Sequence, residues 1–125
     1  MTLVDRAAAL VPMLVERAPA AEQARRVSDA SFDALSKAGV FLMTAPKRYG
    51  GAEADFQTQC DVLAHLARGC PSTSWVATIF SAMSWLAATF PDRAQDEIFA
   101  DGDPRISGVF SPTGTGVRKD GGLVV

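Results

Sequence analysis

The stretch that decides the fold is Ser72-Thr-Ser-Trp-Val-Ala-Thr-Ile-Phe-Ser-Ala-Met-Ser-Trp-Leu-Ala-Ala-Thr-Phe90, and no charged residue occurs from Gly69 to Pro91. Its length approaches the roughly 20 apolar residues that a membrane span requires. Serine or threonine nevertheless recurs throughout it, and its two tryptophans are not both at the ends, where interfacial aromatic residues belong. A helix that is apolar on all sides also suits the centre of a soluble bundle. We therefore predict a buried bundle helix and no membrane partner.

The region before this stretch carries the start and stop signals of three more helices. An apolar stripe at helical spacing near the N-terminus is predicted to break or kink near Pro12 and again near Pro19. Ser28 is suited to cap a second helix that Gly39 ends, and Asp55 is suited to cap a third. The predicted buried stripe of the third helix consists of Phe56, Cys60, Leu63, Ala67 and Cys70.

Between the second and third predicted helices, an apolar run that begins at Val40 closes in the pair Gly50-Gly51. Two adjacent glycines predict backbone angles that residues with a Cβ atom avoid. We interpret this turn as structural.

The composition allows one globular core and excludes several kinds of binding. Of 125 residues 48% are hydrophobic, and 14 acidic against 12 basic residues give a net charge of -2 without a basic block, so we predict no nucleic-acid partner. Asp5 and Glu16 interrupt any signal-peptide stretch. Cys60 and Cys70 lack a CxxC spacing and neighbouring histidines, which predicts no metal site and two buried thiols in a reducing cytoplasm. His65, the single histidine, lies off the predicted stripe, and we assign it no catalytic role.

The chain changes character after the apolar stretch. Asp92 and Gln95 predict a capping box for a short helix that ends at Phe99. The turn-forming run from Asp101 to Pro104 marks the boundary that we predict between a helical domain over residues 1–104 and the start of a β domain over residues 105–125. A strand is expected over 106–110, and Asp120-Gly121 predicts a hairpin. The return strand has scarcely begun at Val125, so we expect these residues to be the N-terminal fragment of a longer protein.

The loop between the predicted strand and the hairpin has the residues for contacting a flat polar ligand. Ser111, Thr113 and Thr115 offer hydroxyl groups, while Gly114 and Gly116 leave backbone N–H groups accessible. No Gly-Lys-Ser/Thr follows, which excludes a phosphate loop, and the third glycine and helix of a dinucleotide fingerprint are missing. On its residues alone, the segment is also compatible with a plain loop between strands.

The order of several motifs resembles a known family. The motifs are Ala38-Gly-Val-Phe with Pro46-Lys-Arg-Tyr-Gly-Gly51, then Arg68-Gly-Cys-Pro-Ser-Thr-Ser-Trp-Val76, then the strand, loop and hairpin that begin at Ile106. Together they resemble the acyl-CoA dehydrogenase superfamily, and more closely its flavin-dependent monooxygenase branch of two-component aromatic hydroxylases. The resemblance covers nearly the whole chain but only the front part of such a protein. It implies a mainly α fold: the N-terminal helical bundle domain, followed by the first strands of an incomplete middle β domain.

The resemblance also implies an oxidoreductase with a flavin cofactor. Reduced FMN or FAD, supplied by a separate flavin reductase, would react with dioxygen and hydroxylate an aromatic or related small molecule. The full-length enzyme would be a homo-oligomer, a tetramer, while residues 1–125 alone would be inactive and hold no catalytic residue. By position, the implied cofactor contacts are Phe110, Ser111, Pro112, Thr113, Gly114 and Gly116. The residues placed at a substrate pocket are Phe80, Met83, Ser84 and Trp85.

Two other interpretations stay open. Acyl-CoA dehydrogenases usually begin this loop with Thr-Glu-Pro and end it with Gly-Ser-Asp, whereas here it begins Phe110-Ser-Pro and ends Gly114-Thr-Gly116. The missing acids favour the monooxygenase branch over dehydrogenation. Close hydroxylases often have a histidine and an asparagine where this chain has Met83 and Ser84, which leaves the substrate and the reaction open. The third interpretation is a non-catalytic helical module.

Overall fold

The computed structural model describes residues 1–111 and 113–125. The described chain is mainly helical, which confirms the predicted fold class. Five α-helices, one short helical turn and one antiparallel hairpin follow in order: α1 Leu3–Ala24, α2 Asp29–Lys37, the turn Lys47–Tyr49, α3 Phe56–Gly69, α4 Pro71–Ala87, α5 Asp92–Ile98, β1 Val117–Lys119 and β2 Gly122–Val124.

Helix α1 is continuous, and the predicted breaks near Pro12 and Pro19 are wrong. Thr2 caps the helix through the N–H of Asp5, whose carboxylate accepts from Thr2 in return. Each proline removes only one backbone hydrogen bond, and α1 packs on α3 in the most extensive helix contact of the fold. Tertiary packing therefore maintains the helix through both prolines until Arg25, which takes a left-handed conformation.

Helix α2 begins and ends where the sequence predicts. The Ser28 hydroxyl accepts from the Ser31 N–H at 3.2 Å, and Gly39 follows the helix with φ of +80°. The chain then passes through the centre of the fold. The core combines this segment with one face each of α1, α2, α3 and α4, and its largest fully buried apolar side chains are Leu14, Leu35, Val40, Phe41, Met43, Val62 and Leu66.

Helix α3 has the predicted cap but a different buried face. Asp55 accepts from the Thr58 N–H at 2.7 Å, which confirms the N-cap. The buried positions are Val62, Leu66 and Gly69, whereas Phe56 and Cys60 of the predicted stripe are exposed. The first turn of α3 extends past the core, so its apolar side chains meet solvent. Of the two cysteines predicted to be buried, only Cys70 is.

Helix α4 buries its small polar face, which contradicts the prediction of a helix buried on all sides. Trp75 and Trp85 are 66% and 59% exposed. The buried residues are Thr73, Ser74, Ala77, Ser81, Met83, Ser84 and Ala87. Small side chains let α4 approach its neighbours closely, and the Ser74 hydroxyl donates to the carbonyl of Leu63 at 2.8 Å. No helix in the described part of the chain is long and apolar enough to cross a membrane.

The chain after α4 departs from prediction twice. Asp92 is the first residue of α5 and not its cap, while Gln95 donates to the carbonyls of Ala88 and Phe90. The strand predicted over 106–110 is wrong: these residues have no regular secondary structure, and the sheet of the described residues consists of β1 and β2. The hairpin is confirmed: Lys119 pairs with Gly122 across a two-residue turn.

Candidate functional site

A cavity of about 320 Å³ lies between the end of α4, helix α5 and the segment 106–110. The residues around it are Met83, Leu86, Ala87, Phe90, Ile98, Ile106, Ser107, Gly108, Val109 and Phe110. Two of these, Ile98 and Ile106, also pack against a small cluster formed by Ala45, Ala87 and Phe99. The inner walls are therefore anchored to the fold, while Val109 and Phe110, both about four-fifths exposed, form the rim.

Met83 is one of the residues that line the cavity. This side chain is buried, and its Sδ atom lies against the backbone of Gly108. A Cβ atom at position 108 would be 2.3 Å from that sulfur, closer than side-chain atoms approach one another. A side chain at position 108 would therefore require the flexible Met83 side chain to move.

The lining gives the cavity a simple chemistry. None of the residues around it is ionisable, and Ser107 supplies the single side-chain hydroxyl. A charged group placed here would lose its hydration without gaining a partner, whereas an apolar group gains from burial. The cavity therefore suits an uncharged apolar ligand group, and its walls offer no side chain for proton transfer.

The structure places the four predicted substrate-pocket residues in different surroundings. Met83 lines the cavity. Phe80 packs in the core, with ring centroids 5.7 Å from Phe41 and 6.0 Å from Phe32. Ser84 is fully buried and its hydroxyl faces the carbonyl of Phe41, and Trp85 is exposed on the far side of α4.

Sequence reasoning missed most of the cavity. Ile98, Ile106 and Gly108 come from segments whose neighbours in space are set by the packing of α5. The one available sequence signal was the small residue at 108 inside an otherwise bulky run, Ile106-Ser-Gly-Val-Phe110. Such a glycine often marks a close approach of another element.

The predicted cofactor loop begins at Phe110, on the rim of the cavity. Phe110 joins the cavity, and Ser111, Thr113, Gly114 and Gly116 are exposed. Pro112 lies outside the described residues. The Thr113 N–H donates to the Ser111 carbonyl at 2.8 Å, and a Cβ atom at Gly114 would meet nothing within 4 Å. The exposed hydroxyl and backbone groups of this loop are of the kind that can hydrogen-bond with the polar edge of a flavin ring.

A polar cluster that includes Arg48, Asp92 and Gln95 holds α5 in place behind the cavity. The Arg48 guanidinium donates to Asp92 at 2.7 Å and to Gln95 at 2.8 Å, and the hydrogen bond from Arg48 holds the pKa of Asp92 below its usual range. The Tyr49 ring stacks on Phe99 with centroids 4.8 Å apart. These contacts fix the helix that carries Ile98, so we interpret this cluster as structural.

No metal site accompanies the cavity. Over residues 1–111 and 113–125, no three histidine, cysteine or acidic side chains are grouped to hold a metal ion. His65 lies on α3, beside Asp61 and Arg68 and away from the cavity.

The chain matches a known protein family. Residues 3–100 match the family model for the acyl-CoA dehydrogenase, N-terminal domain, and the chain belongs to this family. The resemblance seen in the sequence is therefore confirmed.

Particular relatives are flavin-dependent hydroxylases. The chain is 37% identical over 123 residues to the flavin-dependent monooxygenase oxygenase subunit HsaA of Rhodococcus jostii, covering 98% of this chain and 32% of that protein. It is 33% identical to the oxygenase component of an FADH(2)-dependent resorcinol hydroxylase from a Rhizobium species, covering 96% of this chain and 30% of that one.

A solved structure agrees with these relatives. XiaF from a Streptomyces species, in complex with FADH2 and glycerol, superposes with a TM-score of 0.88 and 36% identity over 97% of this chain and 31% of XiaF. The chain spans about a third of the length of the curated relatives that it matches.

Proposed function

We propose that the full-length protein containing these residues is the oxygenase component of a two-component, flavin-dependent monooxygenase that hydroxylates an aromatic or related small molecule. The observation that carries this proposal is that Phe110, the residue from which the polar loop continues, lines the apolar cavity. An oxygenase of this kind needs a dry place for an aromatic ring next to a place for the flavin. The relatives named above support the same reaction and favour FADH2 as the reduced flavin.

Each part of the site has a separate task in this proposal. Leu86, Ile98 and Ile106 hold the apolar part of the substrate by burial and exclude water from it. The hydroxyl groups of Ser111 and Thr113 and the exposed backbone of Gly114 and Gly116 hold the polar edge of the flavin. The ring of Phe110 lies between these two regions.

The cofactor supplies the oxidising chemistry. When bound, reduced flavin reacts with dioxygen, so that one oxygen atom enters the aromatic product, the other leaves as water and the flavin is oxidised. Because the cavity walls hold no ionisable side chain, we assign no catalytic residue to the described chain. We expect residues 1–125 alone to turn nothing over.

The remaining features of the proposal concern the whole protein. We place the division between the helical domain and the middle β domain at residues 104 and 105. A separate flavin reductase would supply the reduced cofactor, and the oxygenase would be a cytoplasmic homo-oligomer, a tetramer. The loop from Ser111 to Gly116 lacks both acids that mark acyl-CoA dehydrogenases, which argues for oxygenation over dehydrogenation.

The proposal is tested with the full-length protein, FAD, a flavin reductase with NADH, and isotopically labelled dioxygen. We expect one labelled oxygen atom in the product of at least one compound from a panel of phenols. Chemically reduced FAD should replace the reductase. Reduction of the bound flavin by an acyl-CoA thioester, with no labelled product from any phenol, would contradict the proposal.

A further inference from the structure

At the contact between Met83 and Gly108, a flexible side chain extends from a backbone position that is fixed by hydrogen bonds. Helix α4 is held on both sides of Met83, because the Thr44 hydroxyl donates to the carbonyl of Ser81 and the Ser84 hydroxyl faces the carbonyl of Phe41. The backbone at Met83 is thus tied to the core. Its unbranched side chain has three rotatable bonds and adapts to the space it is given.

Gly108 supplies the space into which the tip of Met83 fits. Its φ does not lie in the left-handed region, so glycine is not required here for the backbone conformation. It is required for room, since a Cβ atom would lie 2.3 Å from Sδ and 3.5 Å from Cγ of Met83. A side chain at 108 would have to drive the methionine out of its place, and the cavity is the open space beside it.

We propose that Met83 and Gly108 together are specificity-determining residues, which set the size of the uncharged aromatic group that the cavity accepts. With glycine at 108, the methionine tip lies against the backbone and the cavity keeps its volume of about 320 Å³. That the occupant is the substrate of an oxygenase rests on the proposed function. That Met83 and Gly108 limit the size of the bound group does not rest on the proposed function.

The walls indicate which ligand chemistry suits the cavity. Leu86, Phe90, Ile98 and Ile106 surround the space with apolar surface from three segments. A volume of this size is at the lower end of the roughly 300–1,000 Å³ typical of small-molecule sites. It admits one or two fused rings, and a hydroxyl on the ring can point towards the rim at Phe110, where the chain becomes polar.

The test compares a smaller and a larger aromatic alcohol, phenol and naphthol, binding to the chain of residues 1–125 in the absence of flavin. Dissociation constants are measured by ligand-observed NMR for the wild type, Met83→Ala, Gly108→Ala and the double variant. Met13→Ala is the matched control, because Met13 packs against the main core and is not among the residues around the cavity. Circular dichroism establishes that each variant is folded.

We expect Met83→Ala to improve the preference for naphthol over phenol by roughly tenfold, because it replaces a large side chain of the cavity wall with a small one. Gly108→Ala should shift the preference towards phenol, and the double variant should return it at least to the wild-type value. Met13→Ala should leave the preference unchanged. If Gly108→Ala unfolds and Met83→Ala restores its folding, the contact is equally supported.

Several results would overturn the proposal. The proposal is contradicted if folded Met83→Ala keeps the wild-type preference, or if Met13→Ala shifts the preference equally. It is also contradicted if Gly108→Ala unfolds and Met83→Ala does not restore its folding. The same holds if neither alcohol binds the wild type at millimolar concentration. If Met83→Ala itself unfolds, the smaller replacement Met83→Val must shift the preference in the same direction, and a failure to do so contradicts the proposal. Because the assay contains no flavin, an inactive full-length protein with the expected preferences contradicts only the proposed function.

Discussion

The hydroxyl of Thr44 donates a 2.7 Å hydrogen bond to the backbone carbonyl of Ser81, 37 positions further along the chain. Both residues are buried. The bond joins the segment after α2 to the middle of α4, one turn from the residues that face the cavity. It illustrates how a helix without charged residues is held in place: hydroxyl groups on one element satisfy carbonyl groups on another.

Replacing Thr44 with valine keeps the shape of the side chain and removes the donor. We expect Thr44→Val to lower the free energy of unfolding by about 1 kcal/mol, and Thr44→Ser, which keeps the hydroxyl, to cost less. Urea denaturation measures both. Thr89→Val is the control, because the Thr89 hydroxyl makes an exposed, local bond to the carbonyl of Leu86. Equal stability of Thr44→Val and the wild type would show that the buried bond does not contribute.

The adjacent glycines Gly50 and Gly51 should respond differently to alanine. Gly50 has φ of +81° and open space around it, so Gly50→Ala should cost about 1 kcal/mol of backbone strain. Gly51 lacks a positive φ, but a Cβ atom there would lie 1.9 Å from the carbonyl oxygen of Ala45. We expect Gly51→Ala to cost about 3 kcal/mol or more, because the obstacle is backbone. Thermal and urea unfolding compare the two, and a Gly50→Ala variant that is the less stable would contradict this ordering.

Tyr49 should titrate above the usual range for a phenol. Burial, followed by the hydrogen bond to Asp96, raises the pKa of Tyr49. The protonated phenol is therefore favoured by folding: its contribution to stability is present below about pH 10 and is lost as the pH rises through the folded value. Tyr49 is the single tyrosine, so the ultraviolet absorbance of phenolate reports on it directly. Asp96→Asn should reduce the shift, and identical native and urea-unfolded titration curves would exclude it.

Asp55 should make stability depend on pH in the acid range. The Thr58 backbone N–H, which donates to this carboxylate, holds the pKa of Asp55 below its usual range. The charged form is thus favoured by folding, so its contribution is present above about pH 3.9 and is lost as the pH falls through the folded value. Asp55→Asn keeps a capping acceptor without the charge, so its melting temperature should fall less on acidification. If the melting temperatures of the wild type and Asp55→Asn fall by the same amount between neutral and acid pH, the prediction is contradicted.

Local chemistry made several elements predictable. Ser28 and Asp55 cap their helices because a side-chain oxygen reaches the nearby N–H groups, and Asp120-Gly121 turns the chain because glycine takes φ of +87°. Each of these depends on residues a few positions apart. The residues of the loop after Phe110 predicted a ligand contact, and the family resemblance identified that ligand as a flavin; both stay predictions.

Long-range packing decided what these rules did not. Asp92 has a capping partner at a suitable spacing, yet it pairs with Arg48, 44 positions away. The buried face of α4 is its small polar side, since close approach to α3 and to the segment at Thr44 outweighs the burial of the larger Trp75. In each case a partner distant in sequence supplied a contact that local propensity does not contain.

The sequence by itself determined a mainly helical chain, the starts of α2 and α3 and the final hairpin, because capping and turn formation act over a few residues. Only the tertiary structure decided which residues form the cavity. Met83 and Gly108 are 25 positions apart, and neither has a feature that identifies its partner. They meet because α5 and the segment 106–110 fold back against the end of α4, where the absence of one Cβ atom leaves room for a sulfur.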